Sequence, residues 1–260
     1  MNYEKRERDG FLKEFKIELA SILLDLQKKI YSLTKNRIVD HNNSLSIEKK
    51  LILPFKKIPE KEFWSFLMNE INNSNELKNL ISSEEVINVF KKIFKKPIKF
   101  DICTFRARFP GQKRVIYHWH QDEGTWYVSK NKDLTNKLTA TLWFSINGAD
   151  ERNSIQLVKY SHKKKLLNHS FVKGQGYFHA KINHEPNQNL VYTVNTNASE
   201  GVIFHPLTLH RSVVDNSDNQ NMSPRYSIDI RYYDKDVNLN YKTSLLFKLK
   251  KYYKNKLWIY

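Results

Sequence analysis

The chain has 260 residues, of which 40% are hydrophobic and 13% aromatic, so it can bury a large core and is too apolar to be intrinsically disordered. Its single cysteine, Cys103, excludes an internal disulfide and indicates a reducing compartment. The net charge of +17 is compatible with an anionic small substrate, a nucleic acid, an anionic membrane surface or simply a lysine-rich solvated surface.

Residues 1–98 are predicted to be helical, because apolar side chains recur near helical spacing in three stretches. These are Phe11, Phe15, Ile22, Leu26 and Ile30, then Phe63, Phe66, Leu67 and Ile71, then Val86, Val89, Phe90, Ile93 and Phe94. A capping box of Ser82 and Glu85 is predicted to begin the third helix, and Pro97 to end it.

The hydrophobic period changes at about residue 99. Residues 99–109, 138–146 and 225–233 alternate between apolar and polar side chains, as half-buried strands do. Short apolar runs at residues 155–158 and 202–204 fit buried strands, and clusters of Gly, Asn, Asp and Pro separate the runs. We therefore predict one mainly β (α+β) domain over residues 1–260. Its β core spans residues 99–235, with the helices of residues 1–98 packed on it, because no linker separates the two parts.

Residues 236–260 form a basic amphipathic segment, in which the last twenty residues carry six lysines and no acid. Such a segment either contacts an anionic membrane surface or forms a C-terminal helix docked on its own domain. No apolar run approaches the roughly 20 residues that span a bilayer, and residues 1–10 lack the apolar stretch of a signal peptide. We expect a cytoplasmic protein, with peripheral contact at the inner membrane face as the alternative.

The motif with the most chemical content is H-x-D, at His120-Gln121-Asp122. Residues two apart on an extended strand point the same way, so this motif projects one imidazole and one carboxylate together. His210 could supply a third ligand if its strand returns to the same end of the sheet. Two His and one carboxylate form the ligand set of non-haem Fe(II) oxygenases, which leaves positions open for a 2-oxo acid and O₂.

The stretch from Arg225 to Tyr233 has one polar and one apolar face. An arginine on the polar face could bind the distal carboxylate of 2-oxoglutarate in bidentate fashion. A solvent-facing strand would show the same alternation, and Asp229 could pair with Arg231, so the pattern alone leaves the role of Arg225 open.

Together these motifs resemble the phytanoyl-CoA dioxygenase-like (PhyH) branch of the Fe(II)/2-oxoglutarate oxygenases. The matching segments are, in chain order, Pro110-Gly111, His120-Gln121-Asp122, Trp143-Phe144-Ser145-Ile146, residues 153–163, residues 201–212, Asn216-Ser217 and Arg225-Tyr226-Ser227. Two departures stand out: Lys159-Tyr160 replaces the Pro-Gly pair of a V-P-G-S-H-K segment, and Glu200-Gly201-Val202 departs from the family's Gly-Asp.

The resemblance implies a double-stranded β-helix, a jelly-roll and cupin-like core, that uses Fe(II), 2-oxoglutarate and O₂. It implies that His120, Asp122 and His210 are the iron ligands and catalytic residues. It also implies that Arg225 and Ser212 bind the co-substrate carboxylate, with Trp126 nearby. The implied reaction oxidises a substrate C–H and releases succinate and CO₂.

The substrate is expected to be a small, anionic molecule such as a sugar, a glycolipid or a natural-product intermediate. The candidate substrate-binding residues are His118, which shares a strand face with His120, together with Arg108 and Arg231. Two alternatives remain. The spacing R-x5-R of Arg225 and Arg231 resembles nucleic-acid demethylases of the same superfamily, although the H-Q-D and middle segments favour the phytanoyl branch. A non-enzymatic jelly-roll module that binds sugar or lipid is the other.

Overall fold

The computed structural model describes residues 8–16, 20–39, 44–93, 98–109, 117–124, 138–172, 179–213 and 223–234. Its helices are α1 (Ala20–Thr34), α2 (Ile47–Leu51), α3 (Lys61–Asn72), α4 (Asn75–Ser82) and α5 (Glu84–Ile93). Its strands are β1 (Phe11–Lys16), β2 (Ile98–Arg108), β3 (Leu138–Ser145), β4 (Ile155–Val158), β5 (His169–Val172), β6 (His179–Ile182), β7 (Val191–Thr193), β8 (Glu200–Phe204), β9 (His210–Ser212) and β10 (Arg225–Asp234). The fold is a mixture of helices and antiparallel sheets, as predicted.

The strands form a large sheet in the order β1-β8-β3-β10-β2, a small sheet in the order β7-β4-β9, and the β5–β6 ribbon. Every pairing in these sheets is antiparallel. The small sheet continues beyond β9, because His120 and His210 exchange backbone hydrogen bonds of 3.0 and 2.9 Å. The amide of Ile182 in β6 donates to the carbonyl of Trp119 at 2.8 Å, which connects the ribbon to the same segment.

The alternation along β10 separates two environments. Its apolar face, which includes Tyr226, Ile228 and Ile230, is buried in one core with helical residues such as Leu67 and Ile71. Its other face carries the buried Arg225 and Ser227. The predicted packing of the N-terminal helices on the sheet is therefore confirmed, and one face of β10 is left for polar side chains.

Buried polar side chains join the helices to the large sheet. The indole of Trp64 donates to the carbonyl of Ala107 at 2.8 Å, and the Asn72 side-chain oxygen accepts from the amide of Phe105 at 2.7 Å. Asn147 uses all its polar atoms, because it donates to the carbonyls of Leu51 and Pro224 and accepts from the amide of Tyr226. These contacts satisfy polar groups that would otherwise be costly to bury.

The prediction that residues 11–16 are helical is wrong. Phe11–Lys16 is strand β1, which pairs with β8 at the edge of the large sheet, with Phe11 opposite Phe204. The Phe11 ring is buried and stacks on Tyr192 with 5.4 Å between ring centroids. Open backbone groups along β8 and an apolar slot for Phe11 outweigh the helical spacing, which is only a local preference.

The predicted cap of α5 is shifted by one residue. The Ser83 hydroxyl accepts from the amide of Val86 at 3.3 Å, whereas the Ser82 hydroxyl donates to the carbonyl of Lys78 inside α4. Helices α4 and α5 are so close in sequence that Ser82 belongs to the end of the first. The predicted stop at Pro97 lies outside the described residues.

Both departures from the family pattern have a structural account. Tyr160 occupies the position of the family's glycine and takes a left-handed conformation with φ of 64°, which costs a non-glycine residue about 1–2 kcal/mol. Gly201 lies so close to β3 that a Cβ atom would overlap the carbonyl oxygen of Trp143. Position 201 therefore requires a glycine.

Residues 236–260 lie outside the described residues, so the C-terminal helix and its membrane contact stay predictions. Among the helices that the structure describes, none combines the length and apolar character needed to cross a membrane.

Candidate metal centre

His120, Asp122 and His210 come together in a buried group. One ligand atom from each residue lies within 4.8 Å of the others, and the two imidazole centroids are 4.1 Å apart. The direct backbone pairing of His120 with His210 sets the two rings side by side, and Asp122, which begins a helical turn over residues 122–124 rather than continuing an extended strand, brings its carboxylate to the same place. The predicted third member of the group is therefore in the expected position.

Hydrogen bonds orient both imidazoles. Nδ1 of His120 donates to the carbonyl of His118 at 2.7 Å, and Nδ1 of His210 donates to the carbonyl of Thr208 at 2.9 Å. This tautomer leaves each Nε2 lone pair for a metal. Burial, and then the neighbouring His210, hold the pKa of His120 well below its ordinary value, so this ring is neutral when a metal requires it.

Asp122 is only 1% exposed, and both of its oxygens are held. The Thr141 hydroxyl donates to Oδ2, and Nη2 of Arg231 donates to Oδ1 at 2.6 Å. Burial alone would raise the pKa of Asp122, but the Arg231 guanidinium and the Thr141 hydrogen bond outweigh it and bring the pKa below its usual range. The group therefore presents an ionised carboxylate.

Gln121 has a structural role that the sequence did not reveal. It is fully buried, and its amide donates to the carbonyls of Lys165 and Leu207 while its oxygen accepts from the amide of Leu167. These three bonds anchor the middle of H-x-D on the side away from the metal group. The position of Gln121 between two metal ligands could have drawn attention to it. Its hydrogen-bond partners are distant in sequence, so the sequence did not indicate which groups it binds.

A basic surface lies on the polar face of β10 and β2. Arg225 and Arg108 are directly opposite each other in the β10–β2 pairing and are 5% and 6% exposed. Burial, and then the Arg108 guanidinium, lower the pKa of Arg225 to about 9. Nε of Arg225 and the hydroxyl of Ser227 are buried with no hydrogen-bond partner among the described residues. A buried cation in this setting requires an anion.

The structure shows which groups two charged side chains on the polar face of β10 contact. Asp229 pairs with Arg106 at 3.0 Å, whereas the sequence left a pair with Arg231 open. The Arg231 guanidinium contacts the Asp122 carboxylate, and its predicted contact with substrate stays a prediction. Arg106 is diagonal to Asp229 across the β10–β2 pairing, and Asp122 lies outside both strands that flank β10, so neither contact follows from spacing along β10.

The remaining candidates lie in different surroundings. The buried Ser212 hydroxyl accepts from the amide of Tyr117 at 3.2 Å. His118 is exposed, and burial of part of its ring, Lys181 and Arg211 lower its pKa. Trp143 is buried, with the Arg225 guanidinium 5.6 Å from its ring centroid. Trp126 lies outside the described residues.

The side chains present fit both an Fe(II) ion and the carboxylate of a co-substrate. Two imidazole nitrogens and one carboxylate oxygen are the donors that Fe(II) takes in 2-His-1-carboxylate sites. The buried Nε of Arg225 and the Ser227 hydroxyl offer donors to a carboxylate in the same interior. Ser227 is not among the residues predicted from sequence, although its place two residues after Arg225 on one strand face was a usable signal.

Comparison with solved structures finds the same fold in several proteins. ThoJ, an apo non-heme monooxygenase, has 12% identity and a TM-score of 0.57, with 89% of this chain and 76% of that chain covered. EctD from S. alaskensis has 13% identity and a TM-score of 0.56, covering 94% and 79%. The epimerase SnoN, in complex with Fe3+, alpha ketoglutarate and nogalamycin RO, has 15% identity and a TM-score of 0.55, covering 89% and 82%.

No curated protein matches the chain in sequence. The family model for phytanoyl-CoA dioxygenase (PhyH), by contrast, matches residues 48–222, which is more than half of the chain and includes the whole H-x-D to His210 segment. The predicted resemblance is confirmed, and the chain belongs to the phytanoyl-CoA dioxygenase (PhyH) family.

Proposed function

We propose that this protein is an Fe(II)/2-oxoglutarate-dependent dioxygenase that oxidises a C–H bond of a small anionic substrate and releases succinate and CO₂. The observation that carries the proposal is the pairing of a buried His120–Asp122–His210 group with the buried cation of Arg225. A metal site alone is common to many proteins, whereas a metal site reached by Arg231 and a buried guanidinium at Arg225 on the same face of β10 suit a chelating dicarboxylate.

Each side chain has a separate task in this proposal. His120, Asp122 and His210 hold the metal, and Arg225, with Ser212 and Trp126, binds the distal end of 2-oxoglutarate. Ser227 adds a hydroxyl beside Arg225. When bound, the iron supplies the O₂ chemistry, with 2-oxoglutarate as the source of electrons. The protein's part is to bind, orient and exclude water.

For the architecture, we propose a double-stranded β-helix within a single domain of residues 1–260. The large sheet and the small sheet, extended by the segment around His120, would be its two faces, with the polar side of β10 turned to the interior. The opposite side of the large sheet is occupied by the helices. The core would span residues 99–235.

We test the co-substrate site by adding Fe(II) and 2-oxoglutarate without O₂ and recording the visible charge-transfer band of the chelate. Wild type is expected to show the band, and His210→Ala to lose it, because one metal ligand is gone. His184→Ala, which removes an exposed imidazole, is the control and is expected to keep the band. A folded wild type without a band, or a band unchanged in His210→Ala, would contradict the proposal.

For the substrate, we propose that Arg108 binds its anionic group and that His118 lies at the mouth of the site. The support is the burial of Arg108 beside Arg225, which places two guanidinium groups on one face. Acidic sugars and their nucleotide or lipid conjugates form the panel, and succinate release is the readout. Arg108→Met is expected to raise KM for a stimulating acid at least about tenfold, because a buried charge pair is lost, while KM for the co-substrate stays unchanged. Succinate release that no acid stimulates would contradict this substrate class.

A further inference from the structure

The two oxygens of Asp122 are held by residues on adjacent strands of the large sheet. Arg231 in β10 lies directly opposite Thr141 in β3, so the two side chains leave the same face of the sheet next to each other. Nη2 of Arg231 donates to Oδ1 at 2.6 Å, and the Thr141 hydroxyl donates to Oδ2. The cross-strand pair of Arg231 and Thr141 therefore holds the carboxylate from one side by hydrogen bonds.

These two hydrogen bonds place the Asp122 carboxylate beside the imidazoles. Oδ1, the oxygen held by Arg231, lies 3.9 Å from Nε2 of His210. Asp122 is 1% exposed, so a buried charge without a partner would be unstable and would tend to turn or take up a proton. Arg231 neutralises that charge before any metal arrives.

We propose that Arg231 is a positioning residue that, with Thr141, holds Asp122 in the orientation that binds the metal. The proposal rests on the proposed function, since it assumes a metal at His120, Asp122 and His210. One hydrogen bond to each oxygen fixes the plane of the carboxylate and leaves acceptor sites free for the metal.

A charge-only role and a positioning role of Arg231 predict opposite changes in metal affinity when Arg231 is removed. The proposal can therefore be tested. If Arg231 acted only through its charge, its loss would remove a cation that repels the metal, and affinity would rise. If it positions the carboxylate, its loss lets Asp122 reorient, and affinity falls. Loss of a residue that orients a metal ligand typically weakens binding roughly 10- to 100-fold.

The experiment uses Co(II) alone as the probe and measures its dissociation constant and visible spectrum in the full chain. Arg231→Met is expected to weaken Co(II) binding roughly 10- to 100-fold and to change the spectrum. Arg231→Lys keeps the charge and is expected to restore part of the affinity. Thr141→Val removes only the hydroxyl and is expected to shift the spectrum with a smaller loss.

Arg106→Met is the matched control, because it removes one arginine from the same sheet face and breaks the 3.0 Å pair with Asp229 without touching Asp122. It is expected to keep Co(II) affinity within about threefold of wild type, a change much smaller than the loss expected for a positioning residue. Wild-type or tighter binding in Arg231→Met would overturn the inference, and so would an equal loss in Arg106→Met. If Arg231→Met does not fold, Arg231→Lys and Thr141→Val decide, and wild-type spectra in both overturn it. Wild type that binds no Co(II) would instead defeat the proposed function.

Discussion

Arg225→Met is expected to make the ligand-free protein more stable while it abolishes the response to 2-oxoglutarate. Arg225 is 5% exposed, and burial together with Arg108 lowers its pKa to about 9, which is the mark of a cation that the folded protein holds at a cost. Apolar side chains of similar volume that replace a buried ion pair are often neutral or stabilise the protein by up to about 4 kcal/mol, and the same desolvation cost is removed when Arg225 is replaced. The same change removes the proposed partner of the co-substrate carboxylate.

The measurement is thermal unfolding with and without 2-oxoglutarate in the presence of a divalent metal. In wild type, 2-oxoglutarate is expected to raise Tm, because it binds only the folded state. In Arg225→Met, Tm without ligand should be higher than in wild type, and 2-oxoglutarate should not raise it further. Binding of 2-oxoglutarate is expected to weaken at least about 30-fold, since truncating one partner of a buried charge pair costs about 2 kcal/mol or more.

Arg211→Met is the control for loss of an arginine. Arg211 is half-buried on the neighbouring ligand strand, where it bonds to Gln156 and pairs with Glu185 at 3.6 Å. It is expected to leave the Tm shift by 2-oxoglutarate intact. An Arg225→Met protein that is less stable than wild type but still responds to 2-oxoglutarate would show that Arg225 is a structural cation.

Asp122→Asn is expected to abolish metal binding and to destabilise the protein, the opposite stability effect from Arg225→Met. The amide is a neutral and weaker ligand, so the loss of metal affinity should exceed the roughly 100-fold of the residues that only orient a ligand. Arg231 would lose the carboxylate that it contacts at 2.6 Å. Breaking a buried pair in this way costs about 3–5 kcal/mol.

Asp229→Asn separates the two effects. It breaks the pair with Arg106 on the same sheet face and is expected to lower stability as well, but to leave Co(II) affinity and the 2-oxoglutarate response near wild type. Metal titration and denaturant unfolding of both variants provide the comparison. Asp122→Asn with wild-type metal affinity would remove Asp122 from the ligand set.

The alternation along residues 225–233 predicted its strand correctly, and both faces have the expected character. The apolar side chains at even positions are buried under the helices, and the polar ones lie on the other face. The three-ligand group was also predictable from residue type and order, although Asp122 begins a helical turn rather than continuing an extended strand. Long periodic stretches such as those of α3 and α5 were predicted for the same reason, since each pattern reports a local geometry.

Contacts between distant strands were not predictable. Phe11–Lys16 has a weak pattern of its own, and its pairing with β8 decides its conformation. The partner of Arg231 is Asp122 rather than Asp229, and this depends on the β10–β3 register, which places Arg231 opposite Thr141. The three bonds of Gln121 go to segments far along the chain and leave no mark in the motif itself.

By itself, the sequence determined the long periodic helices and strands, the family and the residues with the chemistry of a metal site, because residue type and spacing along the chain are enough for these. Only the tertiary structure decided which cations meet which carboxylates. Ion pairs and hydrogen bonds act over a few ångströms, and strand register, with a side-chain period of two, decides which side chains come that close. The burial of Arg225 beside Arg108 and the position of Arg231 beside Thr141 follow from that register, whereas Gln121 is anchored by segments outside the strands.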